Sequence, residues 1–211
     1  MSEKPKMRHP FQRFGQRSWK TSAMLLLMLT ATVGAAVPAV LRAAEGAGPA
    51  WPANAKVIDA RVAKLVFPEG QQEFPLPQLR IYDRQGRRVL ERLGFHAPTF
   101  NTFVTRALDG GNSPSPHLLA NELALVLAPD GKPLATLPDA DYTIVDYWAA
   151  WCAPCHAQDR ELLKVLSARP KTRVNLLRVE ADLSQKTAAE VQKMIDEGTA
   201  AAAAAKKKGK G

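Results

Sequence analysis

The sequence predicts an α/β fold in which helices flank a central sheet, and three stretches carry that expectation. Residues 143–148 (TIVDYW) are a short β-branched and aromatic run that suits a buried strand; beyond Cys155, Leu162, Leu163 and Leu166 recur at helical spacing until Pro170 stops the helix. Residues 174–179 read as the next strand, and 187–195 as a helix opened by the capping box TAAE, with Val191, Met194 and Ile195 on one face. Upstream, 77–108 reads as a strand, a turn at 83–86, a second strand ending at Gly94, and a helix with Phe100, Phe103, Val104 and Leu108 on one side. The chain has 211 residues, 46% apolar and 23% charged, which is material for one ordinary domain plus appendages.

The elements follow in chain order. Residues 1–20 carry Lys4, Lys6, Arg8, Arg13, Arg17 and Lys20 ahead of an uncharged run, 21–41, ended by Arg42. A basic leader, an apolar stretch and small residues form the layout of an export signal. The run is also long enough to serve as a membrane anchor or tether, since a spanning helix needs about 20 apolar residues. Residues 1–44 are therefore expected to be an export signal or membrane anchor. No paired arginine precedes the apolar run, which favours the general export route, and the protein is expected to work in the periplasm or another extracytoplasmic space. Residues 45–56 (EGAGPAWPAN and the two that follow) read as a linker, and 57–67 alternates as an extra or edge strand leading into the loop PEGQQEFPLP. Together 57–109 form a strand, a hairpin and a helix. A Gly/Ser/Pro linker at 110–117 follows, then a second block at 118–198 with a turn at 129–132; whether 118–127 is helix or strand stays open on periodicity. Residues 199–211 are a low-complexity Ala/Lys tail, expected as a fraying helical extension with a solvated cationic end.

The net charge of +9 suggests nucleic acid until it is located. The leader contributes six of the basic residues and the tail Lys206, Lys207, Lys208 and Lys210, which leaves the body between them balanced. No interleaved aromatic and basic pattern suits stacking on bases, so nucleic-acid binding is not expected.

The two cysteines, Cys152 and Cys155, must act as a pair: too few for a disulfide framework, and short of a four-ligand zinc site. They sit where a strand hands over to a helix N-terminus. There Cys152 would face unpaired N–H groups and the positive end of the helix dipole, which favours its thiolate and makes it the expected nucleophile. Cys155, one turn later, is placed to attack a mixed disulfide on Cys152. Pro154 costs nothing at a helix start and fixes the backbone.

The stretch VDYWAAWCAPC, with two tryptophans (Trp148 and Trp151), a CxxC with proline third and Asp146 six residues before the first cysteine, resembles the active-site strand and motif of the thioredoxin superfamily, in the WCxPC form of exported TlpA-like thiol:disulfide oxidoreductases. The resemblance implies a thioredoxin-like sheet flanked by helices and catalysis by Cys152, Cys155 and Asp146. It also implies substrate contact at Trp151, Pro154 and a cis-proline beside the cysteines. Asp146 stands where thioredoxins carry a buried carboxylate, which desolvation would keep protonated at higher pH than usual and which could take the proton of Cys155. One departure is Arg160, where the family's helix often has a kinking proline.

A thioredoxin continues after the motif with a strand, a helix, a strand headed by the cis-proline, its hairpin partner and a last helix. Downstream the pattern stops too soon, whereas 77–108 resembles that missing third, with Pro77 as the candidate cis-proline and Pro75 close by. Two arrangements stay open: a circularly permuted fold, or a shortened domain with an accessory hairpin and helix. The implied partners are protein disulfide substrates and an upstream thiol electron donor; no metal and no cofactor is expected. Two further readings stay open. CAPCH at 152–156 also matches the CxxCH haem-attachment motif of an electron-transfer protein, against which stand the preceding strand, Asp146 and a later methionine, Met194, that falls in a helical pattern. The other is a non-catalytic binding module in which the pair is idle.

Overall fold

A computed structural model describes residues 49–67 and 74–208. The expected export segment or anchor, 1–44 with its apolar run 21–41, lies outside the described residues, as do 45–48 of the linker and 209–211 of the tail. Among the described residues no helix is long and apolar enough to cross a membrane.

The elements run β1 (Ala55–Val62), β2 (Gln78–Asp83), β3 (Arg88–Leu93), α1 (Ala97–Leu108), α2 (Leu119–Leu123), β4 (Val126–Leu127), β5 (Tyr142–Trp148), α3 (Ala153–Ser167), β6 (Val174–Glu180) and α4 (Ala188–Lys208). One six-stranded sheet is ordered β3-β2-β5-β6-β1-β4. β5 and β6 are parallel and joined by α3, and β1 lies parallel to β6 on its far side. β2 is antiparallel to β5, and β3 to β2. The central strands are apolar on both faces because helices cover both, as parallel strands require.

Alternation along the strands sorts the core into two layers. Leu79, Ile81, Ile144 and Leu176 meet Phe100 and Val104 of α1 and Leu162 and Leu166 of α3. On the other face Tyr82, Val145, Tyr147, Leu177 and Val179 meet Leu119 and Leu123 of α2 and Val191, Met194 and Ile195 of α4. The hairpin β2–β3 and helix α1 thus precede β5 in sequence, and β2 pairs with β5 on the edge away from β6, while β1, the other strand parallel to β6, comes before both.

Two local expectations change, and two others gain detail. β1 is flanked by β6 along Ala55–Arg61 and by β4 only at Arg61 and Val62, so it is an inner strand with a short cover and not the outermost one. Phe103 does not join the buried stripe of α1; it is 38% exposed and lies under the Arg92 guanidinium, 4.6 Å from its ring centre. The undecided 118–127 holds both a helical turn and a two-residue strand. α4 continues through 199–208 as one helix. Its capping box forms as expected, with the Glu190 N–H donating to Thr187 Oγ1 (3.3 Å) and the Thr187 N–H to Glu190 Oε2 (2.8 Å).

α4 docks unusually close to the segment after β1. The Leu65 N–H donates to the Met194 carbonyl at 3.0 Å, and a Cβ added at Gly198 would collide with the Leu65 backbone carbonyl. Alanine is the better helix former by about 1 kcal/mol. Gly198→Ala is nevertheless expected to destabilise the fold by about 1–3 kcal/mol, because backbone cannot yield as a side-chain tip can. Urea unfolding of the two proteins measures this, and a variant as stable as the parent would contradict the close docking.

Candidate redox site

β5 ends at Trp148, and the small residues Ala149 and Ala150 let the chain turn out of the sheet into α3. Cys152 is the N-cap of α3 in an extended conformation (φ −84°, ψ 93°), and its Sγ accepts the Cys155 N–H at 3.2 Å. It takes the place a serine or aspartate oxygen usually fills, so a thiolate there would satisfy a free helix donor and meet the positive end of the helix dipole. Pro154 lies in the first turn, where its missing N–H has no partner to lose.

Cys152 and Cys155 are joined in a disulfide, S–S 2.03 Å, with Cα atoms 5.2 Å apart. Both are buried, 2% and 1% exposed, in a small cluster with Ala149, Leu76 and Trp148. Trp151 is the opposite case, 63% exposed, its indole N–H donating to Asp182 Oδ1 at 3.0 Å. The Leu76–Pro77 bond is cis and Pro75 is not involved, so Pro77 heads β2 while Leu76 rests on the cysteine cluster. The structure therefore brings Cys152, Cys155, Trp151 and Pro154 together on the β5–α3 connection, with the Leu76–Pro77 pair beside them. Helix α3 runs unbroken through Arg160, which is exposed.

Asp146 is buried, 1% exposed, on the α3 side of β5. Its Oδ1 accepts Gln158 Nε2 of α3 at 2.9 Å, and its Oδ2 lies 3.3 Å from Arg178 Nε of β6, the residue directly opposite it in the parallel register. Arg178 Nη2 also binds Asp159 Oδ2 at 3.0 Å, and the guanidinium stacks on Trp148 at 4.5 Å. Desolvation first, and the neighbouring Asp159 charge second, push the Asp146 carboxyl up to about 7 against the pull of Arg178. Sequence reasoning does not single out Gln158, Asp159 or Arg178. The signals that could find them are an arginine between apolar residues inside the strand VNLLRVE, and two polar residues one turn beyond Cys155 on its own helix face.

The raised Asp146 pKa makes stability depend on pH. The unfolded chain releases this proton near 3.8 and the folded protein near 7, so folded protein binds more protons in that window and stability falls as pH rises through it. Asp146→Asn removes the penalty and leaves Arg178 balanced by Asp159. Each tenfold change in proton affinity is worth about 1.4 kcal/mol, so the variant should be a few kcal/mol more stable than the parent at pH 8 and no more stable at pH 3, read by urea unfolding. Equal stability at both pH values would show an ordinary carboxylate.

The other face of β5 carries a second buried polar group. Glu122 of α2 accepts Arg80 Nη1 (2.5 Å) and the hydroxyls of Tyr147 (2.6 Å) and Tyr82 (2.6 Å). Arg80 also donates to Glu91 Oε1 at 2.9 Å and to Gln78 Oε1 at 2.7 Å. Burial pulls the Arg80 guanidinium down, but Glu122 and its neighbours outweigh it and the net shift is upward. Burial and Glu122 together push both tyrosines up.

The pair closes a disulfide ring at a helix N-terminus, the geometry of exchange chemistry, and the His156 ring that a haem-attachment motif would use has its Nε2 2.8 Å from the Ala150 carbonyl. Among the described residues no group of three or more His, Cys, Asp or Glu side chains is arranged to hold a metal ion.

Residues 134–195 match the family model described as Thioredoxin. The match covers β5, α3, β6 and the start of α4, and leaves out the upstream β2, β3 and α1. No curated protein and no solved structure gave a significant match to the chain. A thioredoxin segment whose cysteine pair is at disulfide distance supports membership of that superfamily and thiol–disulfide redox chemistry in general.

Proposed function

We propose that the protein is an exported, TlpA-like thiol:disulfide oxidoreductase that reduces disulfides in protein substrates. The observation that carries this reading is the Cys152–Cys155 disulfide at the N-terminus of α3, with Asp146 buried against the same helix. In the dithiol form the Cys152 thiolate attacks one sulfur of a substrate disulfide; a Cys152–substrate disulfide forms and the other substrate sulfur leaves as a thiolate that takes a proton from water. Asp146 then takes the Cys155 proton, and the Cys155 thiolate attacks Cys152 Sγ, expelling the second substrate thiol. The protein is left oxidised, two electrons having passed to the substrate, and an upstream thiol donor returns them. Pro77 and Leu76 beside the cysteines, and the exposed Trp151 ring, form the surface a substrate chain would meet. Export, or tethering through 21–41, rests on the basic leader and apolar run, and the reductant direction on Asp146 and the neutral Ala-Pro pair between the cysteines.

Equilibration with glutathione or dithiothreitol buffers tests the direction: the potential should lie nearer thioredoxin's roughly −270 mV than DsbA's roughly −120 mV. A value at the oxidising end would reverse the direction, and thiols that never equilibrate would favour an idle binding module. Asp146→Asn should slow insulin-disulfide reduction by about 10-fold or more while Cys152 alkylation stays largely intact. Unchanged turnover would remove Asp146 from the mechanism. A reporter fused behind residues 1–44 tests export.

A further inference from the structure

We propose that Asp159 is a positioning residue of the resolution step: it shares one proton with Asp146 across Arg178, and so keeps Asp146 a strong enough base to receive the proton of Cys155. This rests on the reading of Asp146 as proton acceptor given above.

Charge balance calls for a bound proton. Asp146, Asp159 and Arg178 are 1%, 3% and 6% exposed, and a buried group of two carboxylates and one guanidinium carries an uncompensated negative charge unless one proton is bound. The hydrogen bonds show where that proton fits. Asp159 Oδ2 is taken by Arg178 Nη2 and Asp146 Oδ1 by Gln158 Nε2, whereas Asp159 Oδ1 and Asp146 Oδ2 are buried with no hydrogen-bond partner. One proton held between the two carboxyls gives an orphaned oxygen its partner and makes the trio neutral.

The groups facing Asp146 come from four segments. β5 supplies Trp148, α3 supplies Gln158 and Asp159, and His156 of the same helix acts on Asp159. β6 supplies Arg178, and Trp51 ahead of β1 lies 5.6 Å from the Arg178 guanidinium. Arg178 lowers the proton affinity of Asp146, and the like charge of Asp159 opposes it. Without Asp159, Asp146 and Arg178 form a neutral ion pair, and the carboxylate becomes a weaker base that ionises at lower pH.

The test uses the full chain loaded as a Cys152–glutathione mixed disulfide, following glutathione release as Cys155 resolves it at a series of pH values. In the parent the rate should rise through an inflection near the Asp146 pKa of about 7. Asp159→Asn should move that inflection down by about one pH unit or more and lower the plateau several-fold, and Asp159→Glu should restore most of both. Cys152 alkylation should stay within about twofold of the parent, since the effect acts on Cys155. If Asp146→Asn abolishes the inflection but Asp159→Asn leaves it in place, the shared proton is refuted and Asp146 keeps its role. If Asp146→Asn itself leaves the inflection unchanged, both readings fail. Should Asp159→Asn not fold, infrared spectra of the unsubstituted reduced protein decide: a protonated carboxyl band that titrates near neutrality supports the shared proton, and its absence at pH 6 overturns it.

Discussion

Cys152→Ser is expected to abolish disulfide exchange, lowering insulin reduction by at least about 10³-fold, because the step that bonds protein to substrate has no other nucleophile. Cys155→Ser should fail differently. Its Cys152 still stands at the helix N-cap with a backbone donor on its sulfur, so the first attack proceeds and the reaction stops at the mixed disulfide. Non-reducing mass spectrometry should therefore find substrate attached to the Cys155 variant and none attached to the Cys152 variant. The reverse pattern would exchange the roles of the two sulfurs, and equal activity in all three proteins would make the pair idle.

Glu122→Ala is expected to cost about 3–5 kcal/mol, a large share of the stability of an ordinary domain, because it strands the buried Arg80 charge and takes the acceptor from two tyrosine hydroxyls at once. Glu91 offers Arg80 only a partial replacement: its side chain is 32% exposed, and it already serves Arg88 at 2.9 Å. Glu122→Gln should cost less, since it keeps an acceptor and loses only the charge. Equilibrium unfolding in urea distinguishes the two. Little loss in the alanine variant would mean that water reaches Arg80 there.

Much of this is legible in the sequence, for identifiable reasons. The β5–α3 connection can be read because its strand is β-branched and aromatic, its helix periodic, and its cysteines spaced one turn apart. The hairpin β2–β3 can be read because Gly86 and Gly94, at φ 73°, occupy the backbone conformation that turns favour. The Asp146 surroundings are not legible beyond Asp146 itself. Arg178 reaches it only through parallel pairing of β5 with β6, a register no local pattern announces, while Gln158 and Asp159 look like an ordinary polar stretch of a helix. Phe103 matches the helical period of α1, but the covering Arg92 comes from β3, and periodicity says nothing of what lies above a face. The helical extension of α4 through the alanine run is legible, whereas the close docking at Gly198 depends on the Leu65 backbone far earlier in the chain.

The position of the hairpin has a consequence for vectorial synthesis. β2 leaves the ribosome with only β3 to pair with, its other edge waiting for β5 much later in the chain, while β1 waits for Val174 before Ala55 finds its register. Pairings this distant in sequence delay closure until the chain is nearly complete, and in the interval hydrogen-bonding edges and apolar side chains are open to misassociation. The sheet can close only once β5 and β6 have both been made, and until then the hairpin and β1 are joined by chain connectivity alone.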